Sequence, residues 1–295
     1  QGKTKEAADA LIKLLPSPLT PKDARAVQQV GLLCTQLEMY EQAEKVLRKL
    51  AELSPQGGTL LLAQYLARHG DINEGFQMLE AALNDQTLQP VLRAAVDAVR
   101  YRPREDGKPF DATIEAWFQR AQRQKSRAIS TAFQLALFRE AQERYDDMED
   151  VYYDLLRRDN LRPPQRMAVW NNLAFELALR GKELDKALQM IDKAIALAGP
   201  RPELLDTRAM VKSGLGDHEA ALADIQKTFS AGPGPMQLFN LSCIQLAKGD
   251  LEEARTSLVR AQELGLSERA MNSLQRTKYK DMMLQLNIQQ ARRAA

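Results

Sequence analysis

Small and apolar residues recur along this chain in a two-part rhythm. A small or medium-sized residue is followed four and seven positions later by partners that are mostly apolar. Ala43 with Leu47 and Leu50, Gly75 with Leu79 and Ala82, and Ala187 with Ile191 and Ala194 follow this rule. So do Ala221 with Ile225 and Thr228, and Ala254 with Leu258 and Ala261. Weaker copies open on larger residues, Ile114 with Phe118 and Ala121 and Met148 with Tyr152 and Leu155, and another begins at Ala7 with Leu11 and Leu14. Positions four and seven apart share one face of an α-helix, so each triplet predicts an amphipathic helix. The opening residues stand 36, 32, 39, 34, 39, 34 and 33 positions apart. A period of that length marks a repeat.

Each of the seven complete copies has a second small residue 12 to 19 positions upstream: Gly31, Ala63, Ala95, Ala136, Ala174, Ala209 and Ser242. A small side chain on a helix lets a neighbouring helix approach closely. Between the two markers lie Gly70-Asp71, Gly181-Lys182, Gly216-Asp217 and Gly249-Asp250. Glycine suits the left-handed residue that closes a helix, and aspartate suits the start of the next. Pro55, Pro163, Pro200 and Pro233 fall near the repeat ends, where they forbid helix continuation. Each period is therefore an αα-hairpin, and a single hairpin must stack on neighbours to bury its apolar face.

These residues resemble the tetratricopeptide repeat (TPR) family over about nine-tenths of the chain. The likeness is clearest from Trp170-Asn171-Asn172-Leu173-Ala174 through Gly181, Ala187, Ile191, Ala194 and Pro200. It continues in Leu205 to Pro233 and Leu238 to Leu264, with another good copy at Val27, Val30, Gly31, Tyr40, Ala43, Leu47, Leu50 and Pro55. The resemblance implies an all-α fold, a right-handed superhelix of αα-hairpins (a TPR solenoid) closed by a C-terminal cap helix. Seven units are expected over 20–267, at about 22–56, 57–88, 89–125, 127–163, 166–200, 202–234 and 235–267. Residues 1–19 read as the second helix of an interrupted repeat, because Gly2 precedes Ala7 by the interval that separates Gly70 from Gly75. Further repeats or domains are thus expected upstream. Ser267 is placed to cap a helix from Glu268 to about Gln290, with Tyr279, Met282, Met283 and Leu286 as its apolar stripe and a basic tail through 295.

Three departures fall in the middle of the array. Arg102-Pro103-Arg104-Glu105-Asp106-Gly107-Lys108-Pro109 is inserted between two helices, Glu143 stands where a turn glycine is expected, and one extra residue precedes Ala187.

Composition narrows the function. Ala and Leu supply 83 residues against 30 for Val, Ile and Thr together, which favours helix over sheet. Two histidines, His69 and His218, and two cysteines, Cys34 and Cys243, leave little material for a metal site or a histidine-dependent triad. Neither a phosphate-binding glycine loop nor a nucleophile elbow is present. The acidic run Asp146 to Asp150 lacks calcium-loop spacing. No catalytic residue, metal ligand or cofactor is assigned, and no stretch is long and apolar enough to span a membrane. The expected setting is soluble, cytoplasmic or periplasmic.

Net charge is only +2. Basic residues still gather at Arg100, Arg102, Arg104, Lys108, Arg120, Arg123, Lys125 and Arg127, at Arg157, Arg158, Arg162 and Arg166, and near the C-terminus. Glu105, Asp106, Asp111, Glu115 and Asp159 are interleaved with them. An RNA-binding repeat would instead show clustered phosphate-neutralising charge with aromatic stacking platforms, so nucleic acid is disfavoured as a partner.

The resemblance also implies that first helices line a concave groove. One row of lining positions is Leu32, Gln64, Val96, Leu137, Phe175, Met210 and Cys243; a second is Gln28, Leu60, Leu92, Phe133, Asn171, Asp206 and Phe239. Both rows are mostly apolar and lack the Lys and Asn constellation with which some TPR domains hold a terminal carboxylate. The expected function is a non-catalytic scaffold that binds a peptide or helical segment of a protein partner in this groove. The alternative is a regulatory or targeting arm of a larger enzyme or envelope-assembly protein, since similar Asn-Asn-Leu-Ala and Leu-Leu-Asp-Thr segments occur in long bacterial TPR arrays.

Overall fold

The computed structural model describes residues 6, 10–123, 128–229 and 232–288. Among these the secondary structure is entirely helical. Gly2, Ala7, Lys125, Arg127 and the tail from 289, with Arg292 and Arg293, lie outside the described residues.

The chain divides into two compact units, Gln1–Glu143 and Arg144–Ala295. The first holds helices α1 (Ala24–Gln36), α2 (Tyr40–Leu53), α3 (Pro55–His69), α4 (Ile72–Ala81), α5 (Leu88–Arg100), α6 (Asp111–Arg123) and α7 (Ile129–Ala141). The second holds α8 (Tyr145–Leu156), α9 (Pro163–Arg180), α10 (Leu184–Ala198), α11 (Pro202–Gly214), α12 (His218–Lys227), α13 (Pro235–Lys248), α14 (Leu251–Glu263) and α15 (Ser273–Gln285). Consecutive helices pair as α1/α2, α3/α4, α5/α6, α9/α10, α11/α12 and α13/α14. Alternate helices pack as well, α3 on α5 and α5 on α7 in the first unit, α9 on α11 and α11 on α13 in the second. These alternate helices are the first helices of successive hairpins.

Small residues sit where the helices cross. Ala63, Ala95, Ala136, Ala174, Ala209 and Ser242 on first helices, and Ala43, Ala187, Ala221 and Ala254 on second helices, are fully buried. Gly75 gives the reason for one such position. A Cβ placed there would lie 2.3 Å from the backbone nitrogen of Ala67, so only glycine admits this spacing of α4 on α3.

Prolines open the first helices. Pro55, Pro163, Pro202 and Pro235 each occupy the first helical position, where the missing N–H has no helical acceptor to lose. Gly181, Gly216 and Gly249 close helices in the left-handed conformation, with φ of 64°, 86° and 96°. Gly70 does not: its φ is −106°. The C-terminal carbonyls of α3 are held instead by Arg102 of the insertion, whose Nη2 donates to Gly70 O at 2.5 Å and to Leu66 O at 3.3 Å. The insertion itself folds as a one-turn helix, Arg104–Gly107.

The segment after α14 departs from expectation. Ser267 caps only a single 3-10 turn, Glu268–Ala270. The long helix starts at Ser273, where Asn272 Oδ1 accepts from Gln275 N at 2.9 Å and Gln275 Oε1 accepts from Asn272 N at 3.0 Å. This reciprocal pair is a capping box, and it outcompetes the single serine cap. At the other end of the chain, residues 10–13 are helical and Leu11 packs on the core, while Leu14 is 79% exposed, outside the buried stripe expected of it.

Candidate functional site

In the second unit, α9, α11 and α13 lie side by side and present successive positions of both lining rows. Asn171 and Phe175 come from α9, Asp206 and Met210 from α11, and Phe239 and Cys243 from α13. Asn171, Phe175 and Asp206 are half-buried, whereas Met210, Phe239 and Cys243 are 4%, 0% and 3% exposed.

The burial of Phe239 and Cys243 has a specific cause: α15 lies on them. The Tyr279 ring meets Phe239 edge-on with centroids 6.1 Å apart, and the Cys243 thiol contacts Met282 Sδ at 3.3 Å. Gln262 of α14 donates to Tyr279 Oη at 2.7 Å and to Met283 Sδ at 3.2 Å. The start of α15 reaches further back along the unit, packing on α9 and hydrogen-bonding Tyr145 Oη of α8 through Ser273 Oγ at 2.8 Å. Tyr279, Met282, Met283 and Leu286 are all buried as a result. The stripe is legible in the sequence. Its seat is not, because nothing in a repeat period tells where a non-repeat helix turns back. Tyr145 thereby joins the site without any sequence signal that pointed to it.

Polar groups in this layer are only partly satisfied. Asn240 Nδ2 donates to Asp206 Oδ2 at 2.8 Å, joining α13 to α11. Asn171 Oδ1, Asp206 Oδ1 and Asn240 Oδ1 are shielded from solvent and lack hydrogen-bond donors. A buried acceptor left unmet costs about 1–3 kcal/mol, so this bed is not an optimised core. Burial pushes the Asp206 carboxyl up to about 6 against the opposing bond from Asn240. Burial likewise pushes the Cys243 thiol up to about 12, with Lys278 of α15 and Asp206 acting on it from either side. A thiol so raised is a packing group and not a nucleophile.

The corresponding positions of the first unit are more varied. Leu32 on α1 is 42% exposed, and Leu60 on α3, Phe133 and Leu137 on α7 are half-buried. Leu92 on α5 is fully buried inside the core cluster with Val96 and Phe118, so it is a core residue and not an open lining position. Among the two rows, Leu32 is the large apolar side chain most open to solvent.

Several of the basic clusters are paired. Arg100 bonds Glu140 at 2.6 Å, Arg120 bonds Asp85 at 2.7 Å, and Arg104 pairs with Asp111. Arg158 bonds Asp154 at 2.8 Å, and Arg166 donates to the Leu156 carbonyl at 3.1 Å, closing α8. Arg100 thereby ties α5 to α7, and Arg166 ties α9 to α8. His69 stacks on Tyr40 with centroids 5.1 Å apart and is half-buried. Among the described residues no cluster of three or more His, Cys, Asp or Glu side chains could hold a metal ion, and no helix is long and apolar enough to cross a membrane.

Stacked helix pairs whose first helices pack side by side within each unit define a helical-hairpin repeat protein. The sequence model of the tetratricopeptide repeat matches residues 24–56 and 238–265, covering α1/α2 and most of α13/α14. Among solved structures, a tetratricopeptide repeat protein from Parabacteroides merdae is similar over 91% of this chain and 100% of its own, at 16% identity and a TM-score of 0.59. Yeast Tom70 is similar over 98% of this chain at 18% identity and a TM-score of 0.63, and the alignment spans 60% of the Tom70 chain. At these identities the likeness is one of fold. No curated protein sequence matches the chain. The two matched stretches carry the tetratricopeptide repeat, and the fold over the length of the chain is that of tetratricopeptide repeat proteins.

Proposed function

We propose that this protein is a non-catalytic scaffold that docks a peptide or helical segment of a protein partner on its first-helix faces. The observation that carries the reading is α15 itself. A helix with a Tyr-Met-Met-Leu stripe is bedded against α9 and α13, on side chains of the proposed lining rows. A surface that accepts one amphipathic helix through ring edges and thioethers is chemically suited to another. Leu32 on α1 and Phe175 on α9 are the lining candidates through which the two units would be addressed separately.

Affinity capture with the whole chain tests this. Phe175→Glu places a charge on a half-buried position of α9 without entering the core, and Leu32→Glu does the same on α1. Loss of a reproducible partner with either variant, at unchanged helical circular dichroism, supports docking on that face. Retention of every partner by both folded variants removes it. Paired arginines argue against an RNA-binding alternative, and filter binding across a salt series checks it, since phosphate contacts lose affinity steeply with salt.

A further inference from the structure

Helix α15 packs on the array through one face, from Gln275 to Leu286. Its buried stripe rests on Phe239, Cys243 and Gln262, and its first residue bonds Tyr145. Its opposite side carries exposed Lys280, Asp281 and Leu284, the last at 77%. The tether from α14 runs through Gly265 at φ 90° and a single 3-10 turn, so α15 can leave without breaking a hairpin. The first helices of this unit retain the unmet oxygens of Asn171, Asp206 and Asn240. Asn240 is 2% exposed, and its oxygen is shielded from water.

We propose that α15 is a displaceable resident of the first-helix face of the second unit. The partner of that face is an amphipathic helix of the same kind, an aromatic residue followed by thioether or aliphatic side chains three, four and seven positions later. This rests on the docking function proposed above and names its ligand class and its competitor. The physical logic is one of linkage. A tether of a few residues holds α15 at an effective concentration in the millimolar range, so a free helix of equal intrinsic affinity sees a face that is mostly closed. Its apparent dissociation constant rises by the ratio of covered to open molecules. Contacts through Met282, Met283 and the Tyr279 edge adapt to side chains of differing shape, so exchange of one helix for another needs no rearrangement of α9, α11 or α13.

The test uses a fluorescein-labelled peptide of residues 271–288 as probe, titrated by anisotropy against the whole chain and against the whole chain carrying Met282→Glu. Glutamate beside Cys243 and Phe239 expels α15 and leaves the bed intact. The probe is expected to bind the Met282→Glu chain at least ten-fold more tightly than the unchanged chain, and a probe that itself carries Met282→Glu is expected not to bind. Equal affinity for both chains, with helical circular dichroism retained, overturns the proposal. If Met282→Glu does not fold, hydrogen exchange of the unchanged chain decides. Amides of α15 exchanging at least ten-fold faster than those of α13 and α14 support displacement, and equal protection overturns it. Capture with Phe175→Glu reads a different point. Lost capture without a gain in probe affinity removes displacement and leaves the docking face standing, whereas unchanged capture removes docking on the second unit and this proposal with it.

Discussion

The thiol of Cys243 on α13 meets the thioether of Met282 on α15 across 3.3 Å, and Cys243 is only 3% exposed as a result. At pH 8 a thiol raised to about 12 is thiolate in roughly one part in ten thousand. In a Cys34→Ala background, Cys243 is therefore expected to react with an aromatic disulfide reagent at well under a hundredth of the rate of a free thiol. Met282→Ala should accelerate the reaction at least ten-fold by uncovering the sulfur. Measuring the two rates side by side checks both statements.

Asp206 gives an opposite kind of handle. Its carboxyl is shifted from 3.8 to about 6 by burial, so between those values the folded chain holds a proton that the unfolded chain has released. Stability linked to this group is present below about pH 4 and lost as pH rises through 6. Asp206→Asn removes the ionised form and keeps a side chain that can bond Asn240. It is expected to stabilise by about 1–2 kcal/mol at pH 7.5 and to change little at pH 4. Thermal melts at the two pH values would show it, and an equal effect at both would contradict the assignment.

Asp224 on α12 behaves in reverse. Burial opposes its charge, but Arg208 at 2.7 Å and Lys212 at 2.8 Å, both on α11, prevail and hold its carboxyl below the usual range. The stability it brings is present above the unfolded-state value and is lost as pH falls through the lower folded one. Asp224→Asn takes the anion from partly buried Lys212 and leaves Arg208 with Asp192 alone, at 3.2 Å, and should cost about 2–3 kcal/mol near pH 7. That difference should shrink below pH 4, again read from melts.

Gly75→Ala sets helix propensity against sterics. Alanine gains about 1 kcal/mol within a helix. The added Cβ, however, lies 2.3 Å from the Ala67 nitrogen and 2.6 Å from its Cα, and neither is the movable end of a side chain. Overpacking against backbone costs about 1–3 kcal/mol or more, so net destabilisation is expected in urea unfolding.

Glu143 occupies the left-handed conformation, with φ of 60°, at the turn where the repeat would place glycine. A non-glycine residue there costs about 1–2 kcal/mol. Part of that is recovered by glycine after its larger unfolded-state entropy is subtracted. Glu143→Gly should therefore raise stability by about 0.5–1 kcal/mol in the same denaturation assay.

The sequence by itself determined the helix pairs. Small residues at Ala63, Ala95, Ala174 and Ala209 must be small because helices cross there, and this requirement repeats with the period. Local chemistry was readable wherever neighbours in the chain decide it, as in the left-handed Gly181, Gly216 and Gly249. Only the tertiary structure decided what covers the first helices. Arg102 closes α3 from 32 residues away, Leu92 lies in the core and Leu32 outside it, and α15 folds back onto Phe239 and Cys243. A period records the contacts that every repeat shares. It carries no record of a contact made once, between a helix outside the period and the repeats on which it comes to rest.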